Sequence, residues 1–174
     1  MDRLTEMAGG LGALLTAQGT TVAVAESSAG GLISAALLAV PGASAYYAGG
    51  AVIYTRASRR ALLGLPEEVV TMRAATEDYA TIVARALRER LDATWGICET
   101  GASGPTGNRY GDAAGHACVA VAGPIERAVT LETGDGDRSA NMWRFATAAL
   151  ELLEAAVREA PGAEVFLDNP PRGG

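Results

Sequence analysis

Short β-branched apolar runs alternate with amphipathic segments along this chain. Residues 20–25, 51–55 and 94–100 have the composition of buried strands. Segments with apolar residues three and four positions apart lie between these runs and indicate helices. Strands separated by helices predict an α/β sandwich built on a mainly parallel sheet.

The predicted helices have recognisable ends. They span residues 2–18, 29–40, 57–63, 76–91 and 138–159. Gly19 is placed as a left-handed stop for the first helix. Thr76 and Asp137 are expected to cap the fourth helix and the last one with their side-chain oxygens.

Two further strands complete the predicted sheet. Residues 116–122 and 126–132 are joined by a few residues around Gly123 and Pro124. A link this short cannot cross over the sheet, so the two strands are expected to pair antiparallel, which makes the sheet mixed.

Length and charge limit the classes of protein to which the chain can belong. Its 174 residues suit one domain, predicted over residues 1–160, and residues 161–174 have the turn composition of a poorly ordered tail. A net charge of −6 argues against nucleic-acid and anionic-membrane partners.

No apolar run approaches the roughly 18 residues of a membrane span, and no secretory signal is apparent. A cytoplasmic protein is therefore expected.

The set of reactive side chains is narrow. All 14 Lys+Arg residues are arginine, and His116 is the one histidine. The glycine-rich stretch GASGPTG therefore cannot be a Walker phosphate loop, which needs a lysine. Cys98 and Cys118 lie in apolar strand-like runs without close spacing, so we expect reduced core cysteines and no metal site.

Three polar stretches follow strands that are expected to end at the same edge of the sheet. They cover residues 26–31, 54–59 and 100–107, and ligands of such sheets bind beyond the carboxyl ends of the parallel strands. Ser27 and Ser28 lie in the first stretch, within AESSAGG, just before a helix. Their hydroxyls have two interpretations. One is a nucleophile on a tight turn, which needs an activating base, and the other is a helix cap without chemistry.

Several motifs in the same order resemble those of the CinA C-terminal domain family, the nicotinamide-nucleotide amidases. AESSAGG is similar to the family's AES[CS]TGG, and YTRASR is similar to YSNxxK. TGASGPTG is similar to SGIAGPxGG, and GDGDRSANMWRFATAAL is similar to GDRxxxRxxAxxAL. The resemblance covers about residues 4–157. It implies a three-layer α/β/α sandwich with a five-stranded mixed sheet, and metal-independent hydrolysis of the carboxamide of nicotinamide mononucleotide.

The resemblance also assigns roles to residues. Ser27 matches the family's nucleophilic serine, and Tyr54 matches the tyrosine of YSNxxK. The positions that it places around the substrate are Glu26, Ser28, Gly30, Gly31, Thr100, Gly101, Ala102, Gly104 and Arg138. Backbone N–H groups of residues 29–31 or 101–104 are expected to hold the oxyanion.

The chain departs from the family pattern at several positions, including Ala29 and Asp112–Ala113, and three further departures bear on the chemistry. Arg59 stands where the family has the lysine that partners the serine, and a guanidinium stays protonated, so it cannot act as that base. Met142 replaces a second arginine and removes a phosphate contact. Glu99 brings a carboxylate to an apolar strand position. It is either a surface residue or a replacement base with a raised pKa.

Two functions are compatible with these residues. The first is an amidohydrolase acting on nicotinamide mononucleotide or a related nucleotide-like amide. In it Ser27 attacks the amide carbon, Arg59 supplies charge, and Tyr54, Glu99 or water takes the proton. The second is a nucleotide-binding or assembly module on the same fold, without turnover. Both imply a small nucleotide-like ligand, no cofactor and a homo-oligomer, and the chain would be a version of the family without the second domain that many members carry.

Overall fold

The computed structural model describes residues 2–160. Its helices are α1 (Asp2–Ala17), α2 (Leu32–Leu38), α3 (Arg56–Leu63), α4 (Glu67–Thr71), α5 (Glu77–Arg90) and α6 (Arg138–Glu159). Its strands are β1 (Val22–Glu26), β2 (Tyr47–Val52), β3 (Trp95–Ala102), β4 (His116–Ala122) and β5 (Arg127–Glu132). The tail predicted at residues 161–174 lies outside the described residues.

The strands form a five-stranded sheet in the order β2-β1-β3-β4-β5. β1 pairs parallel with β2 and β3, whereas β4 pairs antiparallel with β3 and β5. The predicted mixed sheet is therefore confirmed, including the antiparallel pairing of the last two strands. The β3–β4 pair is antiparallel as well, because residues 103–115 return the chain without a crossover helix.

The sheet is covered on both faces, which confirms the three-layer sandwich. Along β1, Val22 and Val24 point to a core formed with α1, α2 and α6. Ala23 and Ala25 point to a second core formed with α3, α4 and α5. This alternation is the two-residue period of a strand that is buried on both sides.

The predicted ends of three helices are confirmed. Gly19 adopts the left-handed conformation after α1, with a φ of 63°. The Thr76 side chain accepts a hydrogen bond from the N–H of Tyr79 at 3.2 Å, and the Asp137 side chain accepts one from the N–H of Ala140 at 3.0 Å. Each bond satisfies a donor that the first turn of its helix leaves free.

Three elements differ from the sequence prediction. α2 covers Leu32–Leu38 and not residues 29–40, because Gly30 and Gly31 adopt positive φ values and keep the preceding residues in the turn. β2 covers Tyr47–Val52 and not residues 51–55, since Gly49 and Gly50 pair with β1 although glycines are typical of turns. α4 is missing from the prediction because five residues are too few to show a helical period. No helix within residues 2–160 is long and apolar enough to cross a membrane.

The parallel strands bring the three polar stretches together. Glu26 is paired with Val52 of β2, and its neighbour Ala25 is paired with Cys98 of β3. The residues that follow β1 and β2, and the last residues of β3, consequently meet at one edge of the sheet.

Candidate active site

The turn between β1 and α2 carries both serines. Gly30 and Gly31 have φ values of 68° and 100°, in a backbone region that residues other than glycine rarely adopt. A Cβ on Gly30 would also lie 2.9 Å from the Cε atom of Met142 in α6. The two glycines let the chain turn tightly into α2, and they leave Ser27 7% exposed and Ser28 3% exposed.

Glu26, the last residue of β1, fixes the start of α2. Its carboxylate accepts hydrogen bonds from the backbone N–H groups of Gly31, Ile33 and Ser34 at 2.9, 3.0 and 2.8 Å. It also accepts one from the hydroxyl of Ser34 at 2.6 Å. Because the side chain is fully buried, Glu26 acts on the site by positioning the turn and does not line the cleft.

Glu99 binds the same turn from the neighbouring strand. Its carboxylate accepts hydrogen bonds from the backbone N–H groups of Ser27 and Ala29 at 3.1 and 2.8 Å, and from the hydroxyl of Ser28. The side chain is fully buried. The surface interpretation of Glu99 is therefore wrong. The base interpretation loses its geometric support, because Glu99 contacts the N–H of Ser27 and the hydroxyl of Ser28.

Glu99 carries a shifted pKa. Burial raises the pKa of the Glu99 carboxyl to about 7, although the hydrogen bonds from Ser28, Ala29 and Ser27 lower it in part. The protonated form fits the same geometry. One oxygen can still accept both backbone N–H groups while the other donates to the hydroxyl of Ser28.

The shifted pKa predicts how stability depends on pH. Glutamates in the unfolded chain titrate near the ordinary value of 4.5, so the folded state holds this proton more tightly. The resulting stabilisation is complete below about pH 4.5 and is lost as the pH rises through about 7. Compared with Glu99→Gln, the native chain should lose up to about 3 kcal/mol of its free energy of unfolding over this window.

Urea unfolding of both chains at several pH values measures this difference. His116 is a second group whose raised pKa affects the profile. Burial lowers its pKa, but the hydrogen bonds to Glu132 and to the carbonyl of Ala75 raise it more. Subtracting the two profiles cancels His116, because both chains contain it. Parallel profiles would contradict the assignment to Glu99.

The serines open into a cleft with two adjoining lobes. The serine lobe has a volume of about 380 Å³ and contains the predicted residues Ser27, Tyr54, Arg59, Thr100 and Gly101. The glycine lobe has a volume of about 210 Å³ and contains the predicted residues Ser28, Tyr54, Gly101, Ala102, Gly104 and Arg138. Tyr54 and Gly101 line both lobes, so the lobes are continuous. Ser27 and Tyr54 line the serine lobe together with Thr100 and Gly101, at the start of the glycine-rich stretch.

The wall residues are held by hydrogen bonds across the cleft. Arg138 donates to the carbonyl of Gly104 at 2.8 Å and to the hydroxyl of Tyr54 at 3.4 Å. Thr100, 2% exposed, accepts a hydrogen bond from the N–H of Ala75 at 3.3 Å. The Arg138 bonds connect the residues that follow β2 and β3 to the first turn of α6, and the Thr100 bond connects β3 to the segment before α5.

Arg59 is buried in the serine lobe. It is 7% exposed, and its Cζ atom lies 5.0 Å from the centre of the Tyr79 ring. Its Nη1 atom lies 3.5 Å from the carbonyl of Val70, and its Nε atom has no hydrogen-bond partner among the described residues. The guanidinium supplies a fixed positive charge and cannot accept a proton.

One part of the predicted oxyanion site is wrong. The N–H of Ala29 donates to Glu99, and that of Gly31 donates to Glu26. The N–H of Gly30 donates to the carbonyl of Ser27 at 3.2 Å. Residues 29–31 therefore have no free donor for an oxyanion in this conformation. The alternative donors at residues 101–104 stay a prediction.

Some cleft residues lie outside the three predicted stretches. These are Ala74, Ala75, Asn108, Arg109 and Tyr110. Others lie inside the stretches but have no individual role in the prediction: Thr55, Arg56, Ser103, Thr106 and Gly107. One signal was available in the sequence. Arg56 and Arg59 are three positions apart in TRASRR, a spacing that places two side chains on one face of a helix. Among residues 2–160, no group of three or more His, Cys, Asp or Glu side chains is placed to hold a metal ion.

Fold and site together define the class of protein. The chain is a three-layer α/β/α domain with a polar cleft at the carboxyl edge of its parallel strands, and it presents a serine on the turn after β1. It belongs to the CinA C-terminal domain family, whose model matches residues 4–157.

Relatives and solved structures agree with this assignment. A CinA-like protein of Gloeobacter violaceus is 40% identical over 148 residues, which are 83% of this chain and 35% of the relative. The chain spans about a third of the length of such curated relatives. The crystal structure of a competence/damage inducible protein from Agrobacterium tumefaciens is 29% identical with a TM-score of 0.79, over 90% of this chain and 96% of that one. A competence or damage-inducible protein from Enterobacter asburiae is 28% identical with a TM-score of 0.81, over 88% and 98%.

Proposed function

We propose that this domain is an amidohydrolase that releases ammonia from the carboxamide of nicotinamide mononucleotide or a related nucleotide-like amide. The observation that carries this proposal is the position of Ser27. Its side chain lies on the turn after β1 and lines a cavity together with Tyr54 and Thr100. A serine in this place matches the nucleophile that the family motif implies.

The reaction that this site supports has two steps. The hydroxyl oxygen of Ser27 attacks the amide carbon and loses its proton, and the C–N bond breaks to release ammonia and leave an ester on Ser27. Water then hydrolyses the ester to the carboxylic acid and restores the serine. Since Glu99 is bound to the turn and Arg59 is a cation, Tyr54 or water relays the proton of Ser27 to the amide nitrogen, which then leaves as ammonia. Turnover by the native chain is therefore expected to be slow.

A second candidate function is binding without turnover. One observation favours it: a buried guanidinium occupies the place of the family's lysine base, and the buried carboxylate of Glu99 is engaged by three hydrogen bonds to the turn. Loss of a catalytic base costs several orders of magnitude in rate in related serine systems. The same cleft would then serve as a nucleotide-binding module.

Ammonia release from nicotinamide mononucleotide distinguishes the two functions. Nicotinamide riboside and simple amides are the substrate controls. We expect slow release from the mononucleotide and none above background with Ser27→Ala, because this change deletes the attacking oxygen. A matched control is Ser34→Ala, which removes a half-buried serine hydroxyl bound to Glu26 outside the cleft. Equal release by the native chain and Ser27→Ala would contradict the amidohydrolase, and binding without release would favour the second candidate.

A further inference from the structure

The cleft has a charge opposite to that of the whole chain. The chain has a net charge of −6. The residues that line the serine lobe nevertheless include Arg56, Arg59 and Arg109, and those of the glycine lobe include Arg138. Neither lining contains an aspartate or a glutamate. The described part of an acidic chain thus forms a cleft whose charged lining is entirely basic.

These four arginines also differ from others in their partners. Six of the nine described arginines outside the lining form ion pairs: Arg60 with Glu67, Arg73 with Asp112, Arg85 with Glu126, Arg127 with Glu159, Arg144 with Asp135, and Arg158 with Glu154. Within residues 2–160, the four cleft arginines have no carboxylate partner. Their positive charge is therefore available to a ligand.

Arg59 gives the strongest indication of an anionic ligand. Its side chain is buried in the wall of the serine lobe, yet its Nε atom has no acceptor among the described residues. Burying a guanidinium is costly unless its N–H groups are paired, and here the Tyr79 ring and one long contact to Val70 are the recorded partners. A carboxylate or phosphate presents the paired oxygens that a guanidinium binds in a bidentate manner.

The rim of the serine lobe is also electropositive. Arg109 donates a hydrogen bond to the hydroxyl of Tyr110 at 2.7 Å. Burial raises the pKa of Tyr110, but Arg109 and Arg56 lower it more, so that the net shift is downward. A phenol that ionises more readily than usual reports a positive potential at this rim.

We propose that the cleft takes a ligand with two anionic groups, a carboxylate or phosphate against Arg59 in the serine lobe and a phosphate against Arg138 in the glycine lobe. This rests on the proposed function in placing a nucleotide across the cleft. The acid mononucleotide, which has a carboxylate in place of the carboxamide, meets this requirement. The pyridinium ring is common to both ligands, but the amide mononucleotide has a single anionic group, its phosphate, and presents a neutral amide to Arg59. The product of the proposed reaction should consequently bind more tightly than its substrate.

Calorimetric titration of the native chain tests this order of affinity. The probes are the acid mononucleotide, the amide mononucleotide, the acid riboside without phosphate, and inorganic phosphate. We expect the acid mononucleotide to bind at least about tenfold more tightly than each of the others, since a charge-assisted bidentate pair is among the stronger polar contacts. Arg59→Gln should remove the preference for acid over amide. Arg85→Gln, which changes a paired arginine outside the cleft, should preserve it.

A nucleoside 3′,5′-bisphosphate tests whether the anionic group against Arg59 is a carboxylate or a phosphate. If it binds as tightly as the acid mononucleotide and depends equally on Arg59, the serine lobe takes phosphate as well as carboxylate. If the acid mononucleotide alone shows this dependence, the lobe takes carboxylate. Equal affinity for acid and amide, unchanged by Arg59→Gln, would overturn the proposal.

The failure of this proposal is distinct from failure of the proposed function. Ammonia release without any preference for the acid would overturn the two-anion site and leave the amidohydrolase intact. Tight, Arg59-dependent binding of the acid without ammonia release would support the two-anion site and contradict the amidohydrolase. Should Arg59→Gln fail to fold by circular dichroism, Arg56→Gln and Arg109→Gln replace it, since both side chains are exposed on the rim. The double variant Arg56→Gln/Arg109→Gln should weaken binding of the acid mononucleotide more than binding of the amide mononucleotide. Equal weakening would contradict the two-anion site.

Discussion

Arg59→Lys is expected to increase the rate of ammonia release from nicotinamide mononucleotide by about a hundredfold or more. A buried ε-amine can lose its proton, because burial disfavours the charged form and lowers the pKa of a lysine. Position 59 provides this environment, since the side chain is 7% exposed and has no carboxylate neighbour among the described residues. The neutral amine lines the same cavity as Ser27 and supplies the base that the native chain lacks.

Two controls accompany this gain. Arg60→Lys makes the same chemical change at the neighbouring position, where the exposed side chain pairs with Glu67 outside the cleft and a lysine stays protonated, so the rate should be unchanged. Ser27→Ala combined with Arg59→Lys should abolish the gain, because the new base has no nucleophile to activate. A gain that survives Ser27→Ala would place the chemistry on another residue. If no variant releases ammonia at a detectable rate and ligand affinity is intact, the result would favour the nucleotide-binding module over the amidohydrolase.

Glu99 offers a different test of the missing base. If its carboxyl took the proton of Ser27, Glu99→Gln would remove the activity of the native chain and Arg59→Lys would change little. The observed contacts argue otherwise, since both Glu99 oxygens are occupied by the turn and by the hydroxyl of Ser28. A glutamine can reproduce these contacts with one acceptor oxygen and one donor NH₂. The rate should therefore be similar in Glu99→Gln and the native chain.

The fold was accessible from the sequence because local and global signals coincide. β1 and β3 are short apolar runs, and the helices that precede them have a stop at Gly19 and a cap at Thr76. The sequence predicts the second strand at residues 51–55 instead of Tyr47–Val52, because Gly50 is typical of a turn. A Cβ there would lie 2.9 Å from the carbonyl oxygen of Val24, so this position needs glycine for close strand packing. Single-sequence rules assign such glycines to turns.

The candidate site was accessible only in part. Ser27 follows β1 and Tyr54 follows β2. The two residues lie close together because these strands pair in parallel. The role of Glu99 depends on which strand lies beside β1, and a one-dimensional pattern does not contain that information. Arg109 reaches the serine lobe from the loop between β3 and β4, whose path has no periodic signal. The basic character of the cleft therefore emerges only in three dimensions.

The largest loss of stability is expected from Glu26→Ala. The substitution leaves the N–H groups of Gly31, Ile33 and Ser34 without their acceptor, at the start of a helix that has no other side-chain cap. Each unsatisfied buried or half-buried donor costs about 1–3 kcal/mol, so the free energy of unfolding should fall by about 4 kcal/mol. α2 consists of seven residues and cannot compensate by its own helical propensity.

Three further variants separate this role from a general effect of lost charge. Glu6→Ala removes an exposed glutamate of α1 and should change the free energy of unfolding by less than about 0.5 kcal/mol. Ser34→Ala removes one of the four bonds to Glu26 and should cost about 1 kcal/mol. Glu26→Gln keeps one acceptor oxygen but turns an NH₂ group towards backbone donors, so its cost should lie between those of Ser34→Ala and Glu26→Ala. Urea unfolding at one pH gives all four values. A cost for Glu26→Ala close to that of Glu6→Ala would show that the turn carrying Ser27 is held without this carboxylate, and Glu99 would then be its main support.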